Sequence, residues 1–210
     1  MSNFETALKI LRINEGGYNF DPNDAGGETY IGIARATYPL WAGWSIINAI
    51  KRTRKIKSEE IINDPVLDSL VTAFYQNQWN RKNLALITNT GAASLVFDTS
   101  QQHGNWGRVV YYGVNGFPPN FTWFDSKIPN GLSYDLANKI NTSPTTAYIG
   151  IAESRKKYVQ YLTDSGQLSK TFTVGIMSRI NKFLSNAWGF VLTPGGTATA
   201  VVLAAGIFFF

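Results

Sequence analysis

The sequence predicts an all-α protein, and three observations support this. Apolar residues recur at helical spacing in separate stretches: Phe4, Ala7, Leu8 and Leu11, then Val66, Leu67, Leu70, Val71 and Phe74, then Ala92, Leu95 and Val96. Helix-start signals stand in front of such stretches. Between them, Gly, Pro and Asn residues mark turns.

Taken in order, Ser2-Asn3-Phe4-Glu5 has the form of a capping box, in which the Ser hydroxyl and the Glu carboxylate cover free N–H groups of the first turn. Gly16-Gly17 is the stop, because glycine adopts the left-handed conformation that ends helices. A second helical stretch is expected from Gly32 to Tyr38, interrupted by Pro39, with Trp41, Trp44, Ile46, Ile47 and Ile50 behind it. Asp64-Pro65 reads as an N-cap followed by proline in the first turn, opening a helix to about Asn80. A third long helix runs from Gly91 to Gln102. Val114 to Asp125 is rich in Pro, Gly and Asn and reads as a loop carrying aromatic side chains. Ser133 caps a short helix through Ile140, and Pro144 opens another through Leu162.

Composition narrows the chemistry. The chain has 210 residues, no cysteine and one histidine, His103, so thiolate metal sites, disulfides, His-based metal centres and a Ser-His-Asp triad are all disfavoured. Carboxylates are left as the catalytic groups, and no metal or organic cofactor is expected. A formal net charge of +5 favours an anionic partner. The basic run Lys51-Arg52-Thr53-Arg54-Lys55-Ile56-Lys57 reads as a solvated segment; no nucleic-acid motif accompanies it, and no nucleic-acid partner is expected.

The stretch from Glu15 to Tyr30 is the place to look for chemistry. Glu15 falls on the last turn of the first helix, where the helix dipole disfavours negative charge. Burial beside Tyr18, Tyr30 or Trp41 would act in the same sense. A carboxyl group that keeps its proton is what a general acid needs. Gly16 and Gly17 allow close approach to the backbone. Asp21, Asp24 and Glu28 add carboxylates within one loop, shaped by Gly26-Gly27. Glycosidic hydrolysis uses two carboxyl groups, one donating a proton and one activating water or attacking.

Glu15-Gly16-Gly17-Tyr18, followed by Asp21-Pro22-Asn23-Asp24-Ala25-Gly26-Gly27-Glu28-Thr29-Tyr30-Ile31-Gly32-Ile33, resembles the glycoside hydrolase family 108 lysozymes. The spacing of Glu15, Asp24 and Thr29 also resembles the Glu/Asp/Thr arrangement of phage-type lysozymes, with the last gap one residue shorter. Phe74 to Trp79, Phe97-Asp98, and the closing Arg155-Lys156-Lys157-Tyr158 followed by Phe172 and Arg179 resemble later family segments. Gln102-His103-Gly104 stands where many members show Asn-x-Gly, and Gly175 is followed by Ile176 where the family pattern has Trp. Asp98 is expected as a buried structural carboxylate with a hydrogen-bonding partner, the alternative being a residue lining the cleft.

The resemblance implies a lysozyme-like helical fold and an N-acetylmuramidase cutting the β-1,4 bond between N-acetylmuramic acid and N-acetylglucosamine in peptidoglycan glycan strands. Glu15 would be the acid, Asp24 would position water or stabilise positive charge, and Thr29 would help hold the water. Gly16, Gly17, Tyr18, Gly27, Tyr30 and Trp44 are the expected substrate contacts. The alternatives are a lytic transglycosylase, with Glu15 as both acid and base, and a non-catalytic, membrane-tethered wall-binding or phage assembly protein.

The expected organisation is a lysozyme-like catalytic region over 1–104, a helical, peptidoglycan-binding region over 105–186, and an apolar tail over 187–210. The tail carries no charge. About 20 apolar residues suffice to span a bilayer, so a membrane anchor is expected, with Pro194-Gly195-Gly196 able to break the helix. Arg179 and Lys182 on its flank would hold the domain on the cytoplasmic side. The N-terminus is amphipathic rather than basic-then-apolar, so no signal peptide is expected. An endolysin-like enzyme made in the bacterial or phage-infected cytoplasm, acting on the wall after release, fits these features.

Overall fold

The computed structural model describes residues 2–21 and 27–190. Among these, eight α-helices dominate: α1 (Asn3–Glu15), α2 (Gly43–Thr53), α3 (Pro65–Arg81), α4 (Thr90–Gln102), α5 (Trp106–Asn115), α6 (Tyr134–Thr142), α7 (Pro144–Asp164) and α8 (Lys170–Phe190). A 3-10 turn, Leu84–Leu86, leads into α4.

The start signals act as their chemistry dictates. Ser2 Oγ accepts from the Glu5 N–H while Glu5 accepts from the Ser2 N–H, completing the capping box. Asp64 accepts from the N–H groups of Val66 and Leu67 and opens α3. Ser133 Oγ accepts from the Leu136 N–H and opens α6. α1 stops at Glu15 because Gly16 takes a positive φ of 68°.

The stretch after Glu15 differs from the sequence expectation. It holds a three-stranded antiparallel sheet of β1 (Tyr18–Phe20), β2 (Glu28–Tyr30) and β3 (Ile33–Ala34), in the order β1-β2-β3. Tyr18 pairs with Tyr30 and Thr29 with Asn19; on the other side Thr29 pairs with Ala34 and Tyr30 with Ile33. The helix expected from Gly32 to Tyr38 does not form. Ile33 and Ala34 pair with β2 instead, and single-turn hydrogen bonds carry the chain from Ala34 to Tyr38. The turn between β2 and β3 is only Ile31-Gly32, with φ of 46° and 73°. Positive φ at both positions matches the twist of a hairpin. It also places a β-branched residue where such residues are seldom found.

α4 is the axis of the molecule. Every residue from Gly91 to Ser100 is buried, and α1, α7, α5 and α8 pack around it. One cluster of buried apolar side chains contains Leu11, Trp79 and Phe97 from the first half together with Ile140, Ile151 and Phe183 from the second. The regions on either side of residue 104 therefore share a core. A second aromatic cluster, with Tyr112, Trp123 and Tyr158, orders part of the long loop before α6. α8 continues through 187–190, and the rest of the expected apolar tail lies outside the described residues. Among the described residues no helix is long and apolar enough to cross a membrane.

α5 and α7 approach through glycines. A Cβ on Gly150 would lie 2.0 Å from the Gly113 carbonyl oxygen, and one on Gly113 would lie 2.5 Å from the Ile151 Cα. Ser154 Oγ donates to the Val109 carbonyl across the same crossing. Backbone atoms cannot swing aside as a side chain can. Gly113→Ala and Gly150→Ala are each expected to destabilise the fold by about 1–3 kcal/mol in denaturant unfolding. Gly104→Ala, at a position with nothing within 4 Å, is the control expected to change stability little.

Candidate active site

Glu15 is the last residue of α1, and its side chain is about one-fifth exposed (19%). Two neighbours from distant parts of the chain define its position. The Ile31-Gly32 turn lies against it: a Cβ on Gly32 would come within 2.7 Å of Glu15 Oε2. That turn is held by Tyr75 of α3, whose hydroxyl donates to the Ile31 carbonyl at 2.6 Å. Burial, with the nearby Glu15 charge, pushes the Tyr75 hydroxyl far above its ordinary range, so it remains a donor. The other neighbour is Arg179 of α8, whose Nη2 lies 2.7 Å from Glu15 Oε1.

Arg179 is fixed from behind. Its Nε donates to both carboxylate oxygens of Asp98 at 2.9 and 3.1 Å, and Nη2 donates to Asp98 Oδ1 as well. Asp98, on α4, is buried and also accepts from Arg155 Nη1 of α7 at 2.7 Å. Arg155 is fully buried and donates from Nε to His103 Nε2 at 3.1 Å and from Nη2 to Gln102 Oε1 at 3.0 Å. Burial alone would raise the Asp98 carboxyl, but the two guanidinium groups outweigh it and hold it below the usual range. Burial, reinforced by Arg155, pushes His103 down to about 3. The imidazole is therefore neutral at pH 7, and its Nε2 is free of a proton so that it can accept. The structure thus gives Asp98 the buried, hydrogen-bonded role expected of it, and places it one residue away from the candidate acid.

The remaining expected site residues are distributed as follows. Gly16 and Gly17 are closely approached by the chain itself. A Cβ on Gly17 would lie 2.4 Å from the Glu60 carbonyl oxygen, and the Gly17 N–H donates to Glu59 Oε2 at 3.3 Å. Tyr18 is buried, with its hydroxyl donating to Glu28 Oε1 at 2.7 Å. Tyr30 is buried, with its hydroxyl accepting from the Ile62 N–H at 3.2 Å. Trp44 is also buried, donating from Nε1 to the Tyr38 carbonyl at 2.8 Å beneath the Arg35 guanidinium. These three rings are packed inside, leaving no open face for a sugar. Gly27 opens β2 at a φ of 62° with open space around it. Thr29 is half-buried in the middle of β2, on the opposite face from Glu28 and Tyr30. Asp24 lies outside the described residues.

Glu28 is bound into the sheet's own support. Its Oε2 lies 2.6 Å from Arg35 Nε, and its Oε1 accepts from Lys51 Nζ at 2.7 Å and from Tyr18. Burial opposes ionisation, but these partners prevail and lower its pKa. The basic run that starts in the last turn of α2 is likewise partly consumed, with Lys51 on Glu28 and Arg54 on Glu60. Sequence reasoning left Arg155 and Arg179 out of the site. Their signal was a charge at a core position: Arg155 lies in register with buried Ile151, Ala152 and Val159, and Arg179 precedes buried Ile180 and lies four residues before buried Phe183. A charge so placed requires a buried partner.

Beside Arg179 an open groove of about 330 Å³ runs between the end of α1 and α8, lined by Asn14, Gln102, Phe172, Ile176 and Ser178. Among the described residues no group of three or more His, Asp or Glu could hold a metal ion.

A helical domain with a small sheet at its edge and a carboxylate at the end of its first helix is a lysozyme-like architecture. Residues 8–104 match the model of the family described as Glycosyl hydrolase 108. That match suggests a glycoside hydrolase, of a family that acts on peptidoglycan. The structure of SagA from Brucella abortus has the same fold at 18% sequence identity, with a TM-score of 0.60 over 91% of this chain and 97% of that one. Comparison with curated proteins gives no match. The family match ends at residue 104, so Arg155 and Arg179 come from beyond it.

Two expectations follow. Gly32→Ala forces the Glu15 carboxylate to move, because the side chain yields more readily than the turn. Turnover on peptidoglycan should fall about 100-fold, while the far-ultraviolet circular dichroism spectrum is retained. His103 binds a proton in the unfolded chain below about pH 6.5 but in the folded one only near 3, so the unfolded state gains protons first as pH falls. Stability should therefore drop by about 3 kcal/mol between pH 6.5 and 4, measured by urea unfolding. His103→Gln, which keeps an acceptor for Arg155, should flatten that slope.

Proposed function

We propose that the protein hydrolyses the β-1,4 bond between N-acetylmuramic acid and N-acetylglucosamine, with Glu15 as the general acid. The observation that carries this reading is the position of Glu15 at the end of α1, held between the Gly32 turn and Arg179, with Arg179 itself lining an open groove. In its protonated state Glu15 donates to the leaving glycosidic oxygen. As the proton departs, the carboxylate that forms stands 2.7 Å from a fixed guanidinium, so the charge developing on the acid meets a partner already in place.

Asp24 and Thr29 complete the site in this reading, with Asp24 orienting the attacking water or stabilising the oxocarbenium-like sugar and Thr29 holding the water. Glu28 does not compete for that role, because its oxygens are taken by Tyr18, Arg35 and Lys51. Peptidoglycan glycan strands are the substrate, and the bacterial cell wall is the place of action, reached after synthesis in the cytoplasm. The apolar tail, 187–210, would serve as a membrane anchor until release.

The test is hydrolysis of purified peptidoglycan with new reducing ends measured alongside loss of turbidity. Wild type should clear the wall and release reducing ends, and mass spectrometry should find N-acetylmuramic acid at those ends. Glu15→Gln should lower the rate by about 10²–10⁴-fold without unfolding. Clearing with anhydro-sugar products would assign a lytic transglycosylase instead. A folded wild type that clears no wall would leave a binding or assembly role.

A further inference from the structure

We infer that Arg179 is a positioning residue that sets the protonation of Glu15, and that Asp98 and Arg155 set the strength of Arg179. The inference rests on the reading of Glu15 as the acid. Arg179 is shared between two carboxylates. Nη2 reaches Glu15 Oε1 at 2.7 Å, while Nε holds both oxygens of Asp98. A guanidinium in contact with a carboxylate favours its charged form. A carboxylate behind the guanidinium neutralises part of that effect. Asp98 is itself shared with Arg155, which draws part of its charge away from Arg179. The chain Glu15–Arg179–Asp98–Arg155 therefore alternates in sign, and each member tempers the next.

The groups bearing on Glu15 come from every helix around it. α8 contributes Arg179; α4 contributes Asp98 and the neutral His103; α7 contributes Arg155. α3 contributes the Tyr75 hydroxyl, which senses the Glu15 charge, with Arg12 of α1 acting on the same hydroxyl from further away. Glu59 lies on the other side, against Gly16 and Gly17. Of these, Arg179 makes the ion pair with Glu15, and it is also the one locked in place by a second buried ion pair. Its planar fork suits this double engagement, which an ammonium could not reproduce.

The alternation gives opposite signs for two substitutions. Arg179→Gln removes the positive charge, so Glu15 keeps its proton to higher pH. The basic limb of the activity profile should move up by about 1 pH unit or more. Asp98→Asn removes the tempering negative charge, and the limb should move down. A purely structural role for either residue would lower activity without displacing the limbs in opposite directions. The experiment uses the full chain and two readouts. One is the pH profile of kcat/KM on peptidoglycan. The other is the carbon-13 carboxyl titration of Glu15, assigned with Glu15→Gln, which needs no turnover.

Opposed displacements in both readouts are expected. Displacements in the same direction, or no displacement in Arg179→Gln, would overturn the inference. If the titration moves as expected but no wall is cleaved, the ion chain stands and the enzymatic reading fails. If one variant does not fold, the other decides alone. Arg179→Lys is the reserve, expected to move the limb up by a smaller amount, and an unmoved limb there overturns the inference.

Discussion

The buried ion chain through Asp98 is the interaction on which the rest of this structure depends. Asp98 sits on α4, the helix around which α1, α5, α7 and α8 pack, and it is paired with arginines from α7 and α8. Removing charges from water is costly, so such a cluster adds little net stability compared with an apolar one. Leaving one charge unpaired costs far more. The practical effect is specificity of arrangement. α7 and α8 have one register against α4 in which both guanidinium groups find the carboxylate, and in that register Arg179 reaches Glu15.

This arrangement joins the two halves of the chain at the site. The region matching glycosyl hydrolase 108 ends at residue 104, yet the guanidinium beside Glu15 comes from residue 179. The core likewise runs across the boundary without interruption. The second half is thus part of the candidate site's construction, in addition to any wall-binding role. On the other flank, strain at Ile31 and the missing side chain at Gly32 let a hairpin turn lie directly on the acid. Tyr75 pins that turn through one short hydrogen bond. The site is assembled from a helix end, a strained turn and an arginine, each held by a different part of the core.

Several features were legible in the sequence because they are local. Caps at Ser2, Asp64 and Ser133 depend on residues two or three positions away, and each formed as its spacing required. The stop at Gly16 and the place of Glu15 on the last turn followed from glycine's backbone freedom. The sheet was not legible. Its strands are two or three residues long, too short to show an alternating pattern, and hydrogen bonds to distant partners decided them. The burial of the aromatic rings near Glu15 was not legible for a related reason. Tyr18, Tyr30 and Trp44 have the chemistry of sugar-stacking rings, but neighbours remote in sequence enclosed them.

By itself the sequence determined a mainly helical protein, the capped starts of α1, α3 and α6, a carboxylate at the end of the first helix and a family resemblance carried by its first half. These depend on short-range spacing and on a motif contiguous in the chain. Only the tertiary structure decided which charges meet. Glu15, Asp98, Arg155 and Arg179 are separated by up to 164 positions, and no local rule pairs them. They were brought together because Asp98, Arg155 and Arg179 occupy buried helix faces where an unpaired charge would be prohibitively costly, so the packing of the helices and the pairing of these charges had to be solved together.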